Sequence, residues 1–135
     1  MKVDRQTENN YIKKWCGVME FSYKDAGIAI IIYVHGMLDL QRSAKIDSGL
    51  EQLISSGPGR DFIFNLKDME YSSSAGHGIF INILGILNKS GRRLVFCNLN
   101  EQVRRVFEIV ELDELFAIFD SEEEALDYLE SSKEI

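Results

Sequence analysis

Four short runs constrain this chain more than anything else in it: IAIIIYV at 28–34, DFIFNL at 61–66, RLVFCNL at 93–99 and LFAIF at 115–119. The first three are continuous rather than alternating and rich in β-branched or aromatic residues, which is how strands buried on both faces read. LFAIF reads as a short further strand. The segments between them have helical spacing. LDLQRSAKIDSGLEQLISSG (38–57) puts Ile46, Leu50, Leu53 and Ile54 on one face and is stopped by SGPG at 56–59. A second helix is expected from about Ala75 to Lys89, ended by Ser90 and Gly91. NEQVRRVFEIVEL groups Val103, Val106, Phe107 and Val110, with Asn100 as its cap. Ser121 and Glu124 have the spacing of a capping box for EEEALDYLE.

Ahead of the first buried run, EFSYK (20–24) alternates apolar and polar residues, and DAG (25–27) makes a turn, so these two strands form a hairpin. The order ββαβαβαβα predicts one α/β domain: a mostly parallel mixed sheet of about five strands, with about four helices packed against it. Residues 1–17 read as an N-terminal tail or extra element, 18–131 as the domain and 132–135 as a short C-terminal tail.

At 135 residues the chain can bury a core without disulfides or a structural metal. Its net charge of −7 excludes the basic footprint of a nucleic-acid binder and disfavours anionic membranes. The longest apolar run is far shorter than a membrane span, and the N-terminus lacks the apolar centre of a secretory signal, so the expected location is the cytoplasm. Cys16 and Cys97 stand 81 residues apart with no metal-ligand spacing, and Cys97, inside LVFC, reads as a small buried hydrophobe. No metal and no cofactor are expected.

The unusual stretch is EYSSSAGHGIFINILGIL, residues 70–87. It falls between a buried strand and a helix, on the edge where α/β sheets usually hold functional groups. Ser73 or Ser74 can cap the helix, but three consecutive hydroxyls exceed what one cap needs. Gly76 and Gly78 fall in the first helical turns, although glycine costs about 1 kcal/mol per interior position. Such glycines let another backbone, or a phosphate, approach closely. Ile79, Phe80, Ile83, Leu84, Ile86 and Leu87 form a wide arc for the core, whereas Ile81 points the other way beside Gly78, Asn82, Gly85 and Asn88. That is a flat surface with an apolar centre, as a protein contact patch has.

Several chemistries do not fit. A phosphate loop needs a lysine after its second glycine, and a nucleophile elbow needs glycines flanking the serine with a supporting histidine and acid. His35 and His77 are the only histidines, neither has an evident acidic partner in sequence, and His77 reads as a helix-surface residue. The acidic cluster and late lysine of a phosphoreceiver are missing as well. No catalytic residues are assigned, and an enzyme is not expected.

Residues 18–131 resemble the STAS family, the domain of bacterial anti-sigma factor antagonists. Three pieces carry the likeness: Ser73-Ser74-Ala75-Gly76-His77-Gly78, similar to the family's serine motif after a buried strand; GMLDLQRSAKIDSGLEQLI, where Gly36, Leu38 and Asp39 match a G-x-L-D segment; and NEQVRRVFEIVELDELFAIFDSEEEAL, similar in spacing to the family's last helix-strand-helix section. The resemblance places Ser74 on the phosphoacceptor position, with Ser73 as the second candidate on a position usually held by aspartate. His77 stands where leucine is usual. It implies a partner-switching module whose unmodified form binds an anti-sigma factor, usually a serine kinase, and so frees a sigma factor. A PP2C-type phosphatase would reset it. The expected contact residues are Asp39, Ser73, Ser74, Ala75, Gly76, His77, Gly78, Ile81, Asn82 and Gly85. Two alternatives stay open: a non-switching interaction subunit, such as a scaffold or a lipid-transport accessory protein, and a small-molecule or nucleotide sensor. Whether the chain forms a homodimer is also open.

Overall fold

The computed structural model describes residues 11–12, 21–38, 40–56, 59–72 and 74–133. A six-stranded mixed sheet forms the centre. In chain order its strands are β1 (Tyr11–Ile12), β2 (Phe21–Asp25), β3 (Ala29–Val34), β5 (Asp61–Asn65), β7 (Leu94–Cys97) and β8 (Ala117–Phe119), and they lie side by side in that order. The pairs β1–β2 and β2–β3 are antiparallel; β3–β5, β5–β7 and β7–β8 are parallel. Two short strands, β4 (Gly36–Leu38) and β6 (Met69–Ser72), form a separate parallel pair. Among the described residues the α-helices are α1 (Leu40–Ser56), α2 (Ser74–Lys89), α3 (Glu101–Ile109) and α4 (Glu122–Lys133), with a 3₁₀ turn at Leu112–Glu114.

The apolar runs are continuous because the sheet is covered on both sides. Ile30, Ile32, Val34, Phe62, Phe64, Leu94 and Phe96 face one core with residues of α1, α2 and α3: Ile46, Leu50, Ile54, Ile79, Phe80, Ile83, Leu87, Val103 and Phe107. The alternate positions, Ala29, Ile31, Ile63, Val95 and Cys97, face a smaller core with Ala125 and Leu129 of α4. The larger core is aromatic at its centre. The Phe80 ring lies 5.1 Å from those of Phe64 and Phe96, and Phe96 lies 5.5 Å from Phe107.

Local signals act as read. The β2–β3 hairpin turns through Gly27, at φ 90°, whose N–H donates to Asp25 Oδ1 at 2.9 Å. Arg60 closes on the same carboxylate and holds its pKa below the usual value. Asn100 caps α3, accepting from Val103 N at 2.9 Å. Ser121 Oγ accepts from Glu124 N at 3.1 Å, and Glu124 reaches back to Asp120 N at 3.1 Å, a capping box displaced by one residue. Cys97 is fully buried, and burial pushes its thiol up to about 12. Cys16 lies outside the described residues.

Elsewhere the structure differs from the reading. The first helix begins at Leu40, not 38, because Leu38 is a β4 residue, 1% exposed and turned into the core. The β8 strand starts at Ala117; Leu115, expected within it, is an exposed residue beyond the 3₁₀ turn. Helix α3 ends at Ile109, so Val110 is exposed rather than sharing a buried face with Val103 and Phe107. Strand β6 interrupts what reads as a plain turn between Leu66 and Ala75. Within the N-terminal region, Tyr11–Ile12 add an antiparallel strand beside Lys24 and Tyr23.

Candidate functional site

The serine stretch is reached through β6, and β6 is tied on two sides. It pairs with β4 in the register Gly36↔Met69, Met37↔Tyr71, Leu38↔Ser72. The Gly36 N–H donates to the Asp68 carbonyl at 2.9 Å, and Gly36 has φ 74°, a backbone conformation that suits glycine. On the other side Asn100 Nδ2 donates to the Met69 carbonyl at 2.7 Å. Leu38 and Met69 are buried and anchor the ladder, while Met37 and Tyr71 are exposed at 46% and 47%. The two strands run parallel and end together, with Leu38 beside Ser72. The chain therefore enters the serine motif and leaves the G-x-L-D segment at the same end of one ladder. That juxtaposition was invisible in the sequence, because strands of 3 and 4 residues leave no periodicity to find.

Helix α2 starts at Ser74. Ser73 and Asp39 lie outside the described residues. Along α2, Ile79, Phe80, Ile83 and Leu87 are buried, while Leu84 and Ile86 are half-buried. The opposite face exposes Gly78, Ile81, Asn82, Gly85 and Asn88, with Ile81 at 47%. A Cβ at Gly78 or at Gly85 would meet nothing within 4 Å, so the fold does not require glycine at either position. Asn82 joins this face to α1: its Nδ2 lies 3.4 Å from Asp47 Oδ1 and 3.3 Å from Glu51 Oε2. Burial, then the neighbouring Glu51, raise the Asp47 pKa despite that hydrogen bond.

Two expected contact residues are placed differently. Gly76 is buried rather than exposed. His77 is half-buried rather than a surface residue, its ring edge-on to Phe107 at 6.2 Å between centroids. Burial holds its pKa below the ordinary imidazole value.

The structure also supplies an acid that sequence did not reveal. His35 Nδ1 lies 3.7 Å from Asp68 Oδ2, and His35 Nε2 lies 3.4 Å from Ser22 Oγ. The order Ser–His–Asp suggests nucleophilic catalysis, but the side chains of His35 and Asp68 are 51% and 59% exposed, and both distances are long for a working relay. Among the described residues no group of three or more His, Cys, Asp or Glu could hold a metal ion, and no helix is long and apolar enough to cross a membrane.

The parallel ladder, the serine-led helix and its flat outer face occupy a chain that matches the STAS domain over residues 22–125. It belongs to the STAS domain family. The STAS chain is 25% identical over 101 residues to the anti-sigma F factor antagonist of Paenibacillus polymyxa, covering 75% of this chain and 86% of that one. It is 29% identical over 87 residues to the anti-sigma-B factor antagonist of Staphylococcus aureus, covering 64% and 80%. Its fold matches the solved anti-sigma factor antagonist SpoIIAA of Bacillus at 23% identity. The unphosphorylated form superposes with a TM-score of 0.72 over 82% of this chain and 96% of that one, and the phosphorylated form with 0.64 over 81% and 98%. Within this STAS domain the serine turn and the exposed face of α2 are the parts that the core does not explain.

Proposed function

We propose that this protein is an anti-sigma factor antagonist of the bacterial cytoplasm, switched by phosphorylation of Ser74. Its unmodified form binds an anti-sigma factor that is also a serine kinase, and the sigma factor held by that kinase is released. The observation that carries this reading is the outer face of α2, where Gly78, Ile81 and Gly85 leave open surface that the fold itself does not need. The names of the two curated relatives support the same activity.

The mechanism follows from charge and shape. The kinase transfers the γ-phosphoryl group of ATP to Ser74 Oγ; the hydroxyl proton goes to a base of the kinase, and ADP leaves. Phosphorylation brings about −1.5 to −2 charges and three acceptor oxygens to the first residue of α2. The helix N-terminus tolerates that charge, because its free N–H groups and dipole favour anions. A partner lying flat on Gly78 and Ile81 meets a bulky dianion at the edge of its footprint and is expelled. No refolding is required. A phosphatase of the PP2C type hydrolyses the ester and restores binding.

The test is to incubate the protein with its cognate anti-sigma kinase and ATP and to map the modified residue by mass spectrometry. Stoichiometric phosphate on Ser74 is expected. Modification of other residues with Ser74 untouched would remove the mechanism.

A further inference from the structure

His77 Nε2 is buried and has no hydrogen-bond partner among the described residues. An unsatisfied buried polar atom is destabilising, and an apolar side chain packed on Phe107 would avoid that cost. Burial favours the neutral ring by lowering its pKa. Among the described residues, the charged groups on the elements packed around α2 are engaged elsewhere or exposed. Arg104 faces Asp120 at 3.5 Å, Arg105 faces Glu101 at 3.7 Å and Asp68 faces His35 at 3.7 Å. Asp47 and Glu51 turn to Asn82, and Glu70 and Glu108 are exposed.

The position of this histidine is specific. It stands three residues after Ser74, the first residue of α2. Residues three apart share a helix face with Cβ atoms about 5–6 Å from each other. A helical side chain also lies over the turn that precedes it. Positions 74 and 77 therefore lie on one face of the first turn of α2.

We propose that His77 reads the state of Ser74: once the serine carries a phosphate, the imidazole takes a proton from solvent, leaves its apolar seat on Phe107 and closes on the phosphate as a cation. This rests on the phosphoacceptor reading of Ser74. A phosphoserine supplies what His77 lacks, an acceptor and a compensating charge, and a charge-assisted pair of this kind is the stronger sort of hydrogen bond. One proton is bound per phosphate, so the turn gains about one net negative charge rather than about two. The pairing is complete at pH below the new imidazole pKa and is lost as pH rises through it.

The experiment installs phosphoserine at position 74 during translation, so that no kinase is needed, and follows the His77 ring by NMR against pH. In the unmodified protein the midpoint is expected below the ordinary 6.5. In the phosphoprotein it is expected to rise by about 1 or more, with the ³¹P resonance inflecting at the same midpoint. That shared inflection should disappear in phosphorylated His77→Gln. Equal His77 midpoints in the two forms, or a ³¹P titration unchanged by His77→Gln, would overturn the proposal. Since the kinase is left out, such a failure leaves Ser74 standing as a phosphoacceptor. Conversely, a kinase that ignores Ser74 leaves this coupling measurable.

Discussion

Asn100 binds Met69 across the gap between α3 and the strand that delivers the serine turn: its Nδ2 donates to the Met69 carbonyl at 2.7 Å while its Oδ1 caps α3 through Val103 N at 2.9 Å. One side chain thus satisfies a free helix N–H and a carbonyl of β6. Asn100→Ala removes both. A lost cap costs about 1 kcal/mol and an unsatisfied buried carbonyl about 1–3 kcal/mol, so a stability loss of about 2–4 kcal/mol is expected in urea titration. Amide exchange in β6 should accelerate alongside.

Gly78 and Gly85 separate stability from binding. Each stands in the interior of α2 with open space where a Cβ would project. Replacing helical glycine by alanine gains about 0.5–1 kcal/mol per site. Gly78→Ala and Gly85→Ala should therefore raise the denaturation midpoint. If this face seats a partner, the same variants should bind the anti-sigma kinase more weakly, by about tenfold each. Higher stability with undiminished binding would move the interface elsewhere.

The parts legible in the sequence were those with a long repeated physical signature. The β3, β5 and β7 runs announced burial on both faces, and the caps at Asn100 and Ser121 announced their helices. The outward turn of Ile81 followed from 3.6-residue geometry alone. What escaped detection was set by tertiary pairing. Strand β6, Met-Glu-Tyr-Ser, has no alternation of its own and exists because β4 and Asn100 hold it. Leu38 has the right spacing for the helical face but is claimed by β4, and His77 looked like a surface residue because nothing local places Phe107 against it.

Glu111 sits in a left-handed conformation, φ 63° and ψ 26°, just beyond the end of α3. Glycine takes that conformation without a Cβ penalty. Glu111→Gly should stabilise the protein by about 0.5–1 kcal/mol, the relief of strain outweighing the extra freedom given to the unfolded chain. Chemical denaturation at pH 7 measures it directly.

Asp47 predicts a stability change with a definite sign. Its folded pKa lies above the unfolded value of 3.8, mainly through burial and then through Glu51. The ionised form therefore subtracts stability at neutral pH, and the penalty fades as pH falls through the raised pKa and below 3.8. Asp47→Asn keeps an acceptor for Asn82 and removes the charge. It should stabilise the protein at pH 7 by less than about 1 kcal/mol, because solvent screens a partly exposed pair, and by nothing near pH 3. Paired urea titrations at the two pH values test this.

The central claim, that a phosphate on Ser74 decides whether α2 can be occupied, is tested most directly by titrating the cognate anti-sigma kinase calorimetrically with protein carrying serine or phosphoserine at position 74. The account predicts that the phosphorylated form binds at least about 100-fold more weakly, the scale expected when a dianion is forced against a desolvated contact surface. Equal affinity for the two forms would contradict it.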